Sequence, residues 1–185
     1  MSVFNYLAVI GLFVMPLASG EITEAETVVW QGVENSYRVS DELYRSGQPD
    51  EEGFRAIEAM GIKTVLNLRE YHKDDKKASK TNLLLLHYPV AAGAVTTADL
   101  AAIMRLIRNA PKPLLVHCWH GSDRTGIVVA TYRIIEQGAD VDAAEKEFTD
   151  ERFGHHEFWY GNLRRLLRST DWAAFKKTLD APPAS

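Results

Sequence analysis

The sequence predicts an α/β domain with a mainly parallel central sheet of about four to five strands flanked by helices. Three observations predict it. Short apolar runs alternate with amphipathic stretches along the chain, the pattern of strands alternating with helices. Two of those runs, 64–68 and 83–90, carry apolar residues on both faces, as strands buried in a parallel sheet do. A third, Leu114-Leu115-Val116, is followed by a polar loop and then by the long apolar run Ile127 to Ile135, which suits a buried helix. The order is strand, short loop, helix.

In chain order, the acidic stretch 21–35 has little periodicity and reads as a flexible lead-in. Tyr37 to Ser40 and Leu43 to Ser46 are short strands around Asp41-Glu42. Asp50 caps a helix whose first turn holds Glu51 and Glu52. Phe54, Ile57 and Met60 form its buried stripe and Gly61 ends it. Thr64 to Leu68 is a central strand. The charged stretch 69–82 reads as a solvated face, a short helix or a loop over the pocket. Leu83 to Val90 is another buried strand, and Ala91 to Val95 a small-residue loop. Thr96 or Thr97 caps a helix through Leu100, Ile103, Met104 and Ile107, which Pro111 stops. After the polar loop and its helix, Gly138 terminates the run and Asp140 opens a helix through Val141, Ala144 and Phe148. Another starts near His156 and runs through Leu163, Leu166 and Leu167, and Trp172 and Phe175 pack a last turn. The domain thus spans 36–178, and 179–185 is a frayed tail.

Composition narrows the function. With 185 residues the chain is long enough for one domain with its own core. A formal net charge of −4 gives no reason to expect nucleic acid or an anionic membrane surface as partner. A single cysteine excludes zinc ribbons and metal clusters and leaves no internal disulfide, so neither metal nor cofactor is expected. Tyr6 to Ala18 is apolar apart from Gly11 and Pro16, and Ala18-Ser19-Gly20 offers small residues to a signal peptidase. Residues 1–20 therefore read as a cleaved secretory signal, which predicts a periplasmic or secreted protein with no stable membrane association after cleavage. No Lys or Arg precedes Arg38, so an uncleaved N-terminal anchor is the alternative, as is a start codon assigned downstream of the true one.

The chemistry concentrates in His117-Cys118-Trp119-His120-Gly121-Ser122-Asp123-Arg124-Thr125-Gly126. A loop between a buried strand and a helix turns successive backbone N–H groups inward and adds the positive end of the helix dipole. That makes a cradle for a tetrahedral dianion, with Trp119, His120, Gly121, Ser122 and Asp123 lining it. Arg124 closes it with a planar fork suited to two phosphate oxygens. Cys118 is the nucleophile, because helix N-termini and neighbouring cations favour thiolate over thiol. Thr125 can hydrogen-bond the sulfur and ease its departure. His117 braces the loop backbone.

His-Cys-x-x-x-x-x-Arg-Thr-Gly resembles the signature of the cysteine-dependent protein tyrosine phosphatases, in the version of the small bacterial dual-specificity phosphatases. Tyr44-Arg45-Ser46-Gly47-Gln48-Pro49, the stretch from Gly61 to Arg69 and Arg152-Phe153-Gly154-His155-His156-Glu157 agree with that group. The resemblance implies a dual-specificity phosphatase fold, a phosphocysteine intermediate, and a phosphorylated protein or small phosphomonoester as partner. It also implies a carboxylate general acid on the loop after the strand preceding the signature. Here that window reads His87-Tyr88-Pro89-Val90-Ala91-Ala92-Gly93-Ala94-Val95, with no carboxylate, and Asp99 is the nearest replacement. The signature loop has no lysine and one acid, so phosphotyrosine-type monoesters are favoured over polyanions. An inositol-phosphate or other small-molecule phosphatase, and a pseudophosphatase that binds without turnover, are the alternatives.

Overall fold

The structure, a computed structural model, describes residues 22–181; the expected signal at 1–20 and residues 182–185 of the expected tail lie outside the described residues. Six strands form one sheet: β1 (Glu26–Thr27), β2 (Tyr37–Arg38), β3 (Leu43–Ser46), β4 (Thr64–Asn67), β5 (Leu84–His87) and β6 (Leu114–His117). Their spatial order is β1-β2-β3-β6-β4-β5. The last four run parallel, and β1 and β2 extend the sheet as antiparallel edge strands. β6 lies between β3 and β4, bonded on both sides, with all four residues buried. The residue that follows it is Cys118, so the site sits at the carboxyl end of a strand in the middle of the sheet.

Alternation along β6 sends its side chains to two cores. Leu115 joins Trp30, Val33, Ile57 and Val65 beneath α1 (Glu51–Ala59). Leu114 and Val116 join the larger core built with α2 (Thr97–Asn109), α3 (Asp123–Glu136), α4 (Val141–Phe148), α5 (Glu157–Ser169) and α6 (Trp172–Asp180). The expected caps are present: Asp50, Thr96 and Asp140 accept from the backbone N–H of Gly53, Asp99 and Ala143.

Several expectations are corrected. The lead-in is ordered from its second residue on: β1 pairs with β2, the Val28 N–H donates to the Ser36 carbonyl at 3.0 Å, and Trp30 and Val33 are buried. A two-residue strand is too short to show a period. The sheet accordingly has six strands. Met60 is 67% exposed, because α1 ends at Ala59 and the chain turns through Gly61 at φ +94°. Among the described residues β5 pairs only with β4, and its Leu84 is 44% exposed; a leucine run looks the same in sequence at a sheet edge as in its centre. Residues 69–82 form turns and bends, and three of them, Arg69, Asp74 and Ala78, are buried. At the other end, α6 continues to Asp180 with Leu179 buried, so ordered structure reaches into the expected tail.

Candidate active site

The loop from Cys118 to Arg124 is held from outside by its carbonyls. Leu68 N–H donates to the His117 carbonyl at 2.9 Å, His117 Nδ1 to that of Cys118 at 3.1 Å, and Gln48 N–H to that of Trp119 at 3.0 Å. Asn35 Nδ2 donates to the His120 carbonyl at 2.9 Å, Arg45 Nη2 to that of Gly121 at 2.8 Å, and Gly126 N–H to that of Ser122 at 2.8 Å. Every carbonyl from His117 to Ser122 is thus occupied. None of the amide N–H groups from Trp119 to Arg124 donates a bond to the described residues. With the oxygens fixed outward, these amides are left for an anion, at the N-terminus of α3. Gly121 makes the turn possible: its φ is +78°, and a Cβ there would lie 2.5 Å from the Ser46 carbonyl carbon.

Cys118 and Arg124 meet at one cavity of about 410 Å³, whose walls include Trp119, His120, Asp123, His156, Trp159 and Tyr160. Arg124 Nη1 approaches the carbonyls of Leu68 and Val90 at 3.4 and 3.3 Å, and its Nε and Nη2 make no hydrogen bond to the described residues. Thr125 is buried beside them. Its Oγ1 has no hydrogen-bond partner among the described residues, so the expected bond to the sulfur is not made here. Ser122 is buried. Tyr71, 81% exposed, does not line the cavity.

Charge behind the loop comes from residues the sequence did not assign. Arg45, fully enclosed, holds the Gly121 carbonyl and lies 4.0 Å from the centre of the Phe153 ring. Burial pushes its guanidinium down to about 10, still cationic at neutral pH. His117 Nε2 lies 2.8 Å from Asp74 Oδ2, and Gln48 Nε2 donates to Asp74 Oδ1 at 2.9 Å. Burial opposes ionisation of Asp74, but the hydrogen bonds from His117, Gln48 and Asn67 outweigh it and hold the carboxyl below its ordinary range. Arg69 stacks 4.1 Å from the Trp119 ring and donates to Gln48 Oε1 at 2.6 Å. Its signal was the family-like stretch ending in Arg69, as that of Arg45 was the stretch Tyr44 to Pro49.

Asp123 and Asp99 part company. Asp123 does not pair with Arg124; its oxygens receive the ring Nδ1 of His155, the ring Nδ1 of His156 and the backbone N–H of His156, at 2.8 to 2.9 Å. Asp99, expected as the replacement acid, closes the capping box of α2: the Thr96 N–H and hydroxyl and the Tyr88 hydroxyl all donate to it. Burial is the largest single influence and raises its carboxyl, but the bonds from Thr96 and Tyr88 together outweigh it and lower it, so the proton a general acid needs is absent near neutral pH. Nor does Asp99 line the Cys118 cavity. Its position is that of a helix cap. Among the described residues no group of His, Cys, Asp and Glu is arranged to hold a metal ion.

Comparison with known proteins decides the family. A family model described as DSP-PTPase phosphatase fused to NAD+ kinase matches residues 21–159. The chain belongs to the DSP-PTPase phosphatases. Dual specificity protein phosphatase TpbA of Pseudomonas aeruginosa is 34% identical over 160 residues, which cover 81% of this DSP-PTPase phosphatase and 72% of TpbA. The crystal structure of TpbA matches with a TM-score of 0.77 at 29% identity, over 85% of this chain and 96% of that one. A second TpbA structure, in complex with phosphotyrosine, also scores 0.77 at 28% identity, over the same shares. Inositol diphosphatase DSP5 of Arabidopsis thaliana is 27% identical over 113 residues, 55% of this chain and 54% of its own. This DSP-PTPase phosphatase is a cysteine-based enzyme of the small bacterial dual-specificity type.

Proposed function

We propose that the enzyme hydrolyses aryl phosphate monoesters, phosphotyrosine in a protein first among them, through a phosphocysteine intermediate. One observation carries the reading: the outward-fixed carbonyls leave a ring of unpaired amides around Cys118, with Arg124 beside it. The Cys118 sulfur attacks phosphorus while the ester P–O bond breaks and its electron pair leaves on the aryl oxygen. The amides and the Arg124 fork carry the charge on the phosphoryl oxygens in the transition state. Water then attacks phosphorus, the S–P bond breaks, and the electron pair returns to sulfur. Three aromatic walls, Trp119, Trp159 and Tyr160, suit an aryl ring. TpbA, the relative crystallised with phosphotyrosine, supports the same class of substrate.

Polyphosphates suit this cavity less. Lys76, Lys77 and Lys80, the cations that a polyphosphate would need, are not among its walls. The test is turnover across p-nitrophenyl phosphate, phosphotyrosine and phosphoserine peptides and inositol hexakisphosphate. Phosphotyrosine peptides are expected to lead, and Cys118→Ser to abolish turnover while still binding phosphate. Residual turnover by Cys118→Ser, or a preference for the inositol phosphate, overturns the reading. Export belongs to the same proposal, supported by the apolar run Tyr6 to Ala18 and the small residues after it; recovery of protein beginning near Glu21 from a periplasmic fraction tests it.

A further inference from the structure

The leaving aryl oxygen needs a proton, and neither the carboxylate-free loop nor Asp99 supplies it. A second acid–base group faces the cavity instead. His156 precedes α5, forms part of the wall with Cys118 and Arg124, and has 44% of its side chain exposed. Its Nδ1 is 2.8 Å from Asp123 Oδ2, and its own backbone N–H donates to Asp123 Oδ1 at 2.9 Å. Since an ionised carboxylate only accepts, Nδ1 carries a hydrogen, and Nε2 is the atom left to exchange protons. That nitrogen makes no hydrogen bond to the described residues. Asp123 in turn is fixed by His155, whose Nδ1 lies 2.8 Å from Asp123 Oδ1, whose Nε2 lies 3.1 Å from Glu157 Oε2, and whose ring packs 4.2 Å from Phe148.

We propose that His156, oriented by Asp123, is the proton donor to the leaving oxygen and the base that activates water in the second step. The inference rests on the phosphatase reading above and names the group that reading lacks. In the first step the Nε2–H bond breaks and its proton goes to the aryl oxygen as the P–O bond opens. In the second, Nε2 takes a proton from the attacking water as the S–P bond breaks, which restores thiolate and imidazolium. His120, whose ring lies 5.6 Å from that of His156, lines the same cavity, but no carboxylate among the described residues holds it. An aspartate inside the signature, where a substrate phosphate is bound, otherwise opposes anion binding; here its charge is spent on two histidines.

The groups that set the charge state of His156 are all in reach. Asp123, His120, Cys118 and Arg124 face it from the loop and α3, and Glu157 and Tyr160 adjoin it on α5, with Arg164 3.9 Å from Glu157. The experiment is His156→Gln assayed on leaving groups of graded acidity, with pH profiles. Turnover of phenyl phosphate is expected to fall roughly hundredfold, the low end for loss of a general acid, and that of 2,4-dinitrophenyl phosphate less than tenfold. The basic limb of the kcat/KM profile is expected to disappear. Inhibition by inorganic phosphate within threefold of wild type reports an intact cradle. Equal losses on both esters, or a retained basic limb, overturn the inference; no turnover by the wild type on any ester would instead overturn the phosphatase reading. Asp123→Asn, a change in a positioning residue, is expected to bias turnover the same way by a smaller factor, and failure to do so removes Asp123 from the pair.

Discussion

Asp74 and His117 meet at 2.8 Å with both side chains sealed from solvent, tying a turn without regular structure to the strand that delivers Cys118. His117 also holds the Cys118 carbonyl, so the pair fixes the floor of the cradle from behind. Asp74→Ala leaves a buried imidazole without its partner and is expected to cost about 3 kcal/mol, measured by urea unfolding at neutral pH.

The same pair makes a pH prediction. The folded Asp74 carboxyl lies below its ordinary value, and an unfolded aspartate titrates near ~3.9. Its stabilisation is therefore complete above that value and lost as the pH falls through the folded one. The stabilities of wild type and Asp74→Asn are expected to differ by a constant amount above about pH 4 and to converge as the pH falls below it.

Gly121→Ala meets two obstacles, the left-handed φ and the backbone of Ser46 and Gly47 within 2.6 Å of the new Cβ. Backbone cannot yield as a side chain can. The variant is expected to lose stability by about 1–3 kcal/mol and to bind inorganic phosphate more weakly, read by calorimetry.

Arg124→Lys keeps the charge but replaces a fork by a point. Losing one charge-assisted bond costs about 1.5–3 kcal/mol, so kcat/KM on p-nitrophenyl phosphate is expected to fall roughly ten- to hundredfold.

Asp99→Ala removes a capping box and is expected to cost about 1 kcal/mol in thermal unfolding. The pH–rate profile on aryl phosphates is expected to keep its shape, because the carboxyl is bound to Thr96 and Tyr88, outside the Cys118 cavity. A lost basic limb would return Asp99 to the mechanism.

What the sequence by itself determined is the local machinery. Strand, turn and helix N-terminus follow one another without a gap, so covalent spacing sets the order in which cysteine, glycine and arginine meet one cavity. Caps such as Asp50 and Thr96 were legible for the same reason. The tertiary structure alone decided what surrounds that loop. Asn35 and Arg45 reach its carbonyls from 85 and 76 residues away, and Asp74 reaches His117 across 43. His156 comes to Asp123 across 33. Asn35, Asp74 and His156 lie outside helices and strands, and Arg45, though on β3, is a charged residue turned inward; each is aimed by the packing of the elements on either side. Asp99 is placed away from the Cys118 cavity for the complementary reason, since a carboxylate three residues past a threonine is captured by its own helix.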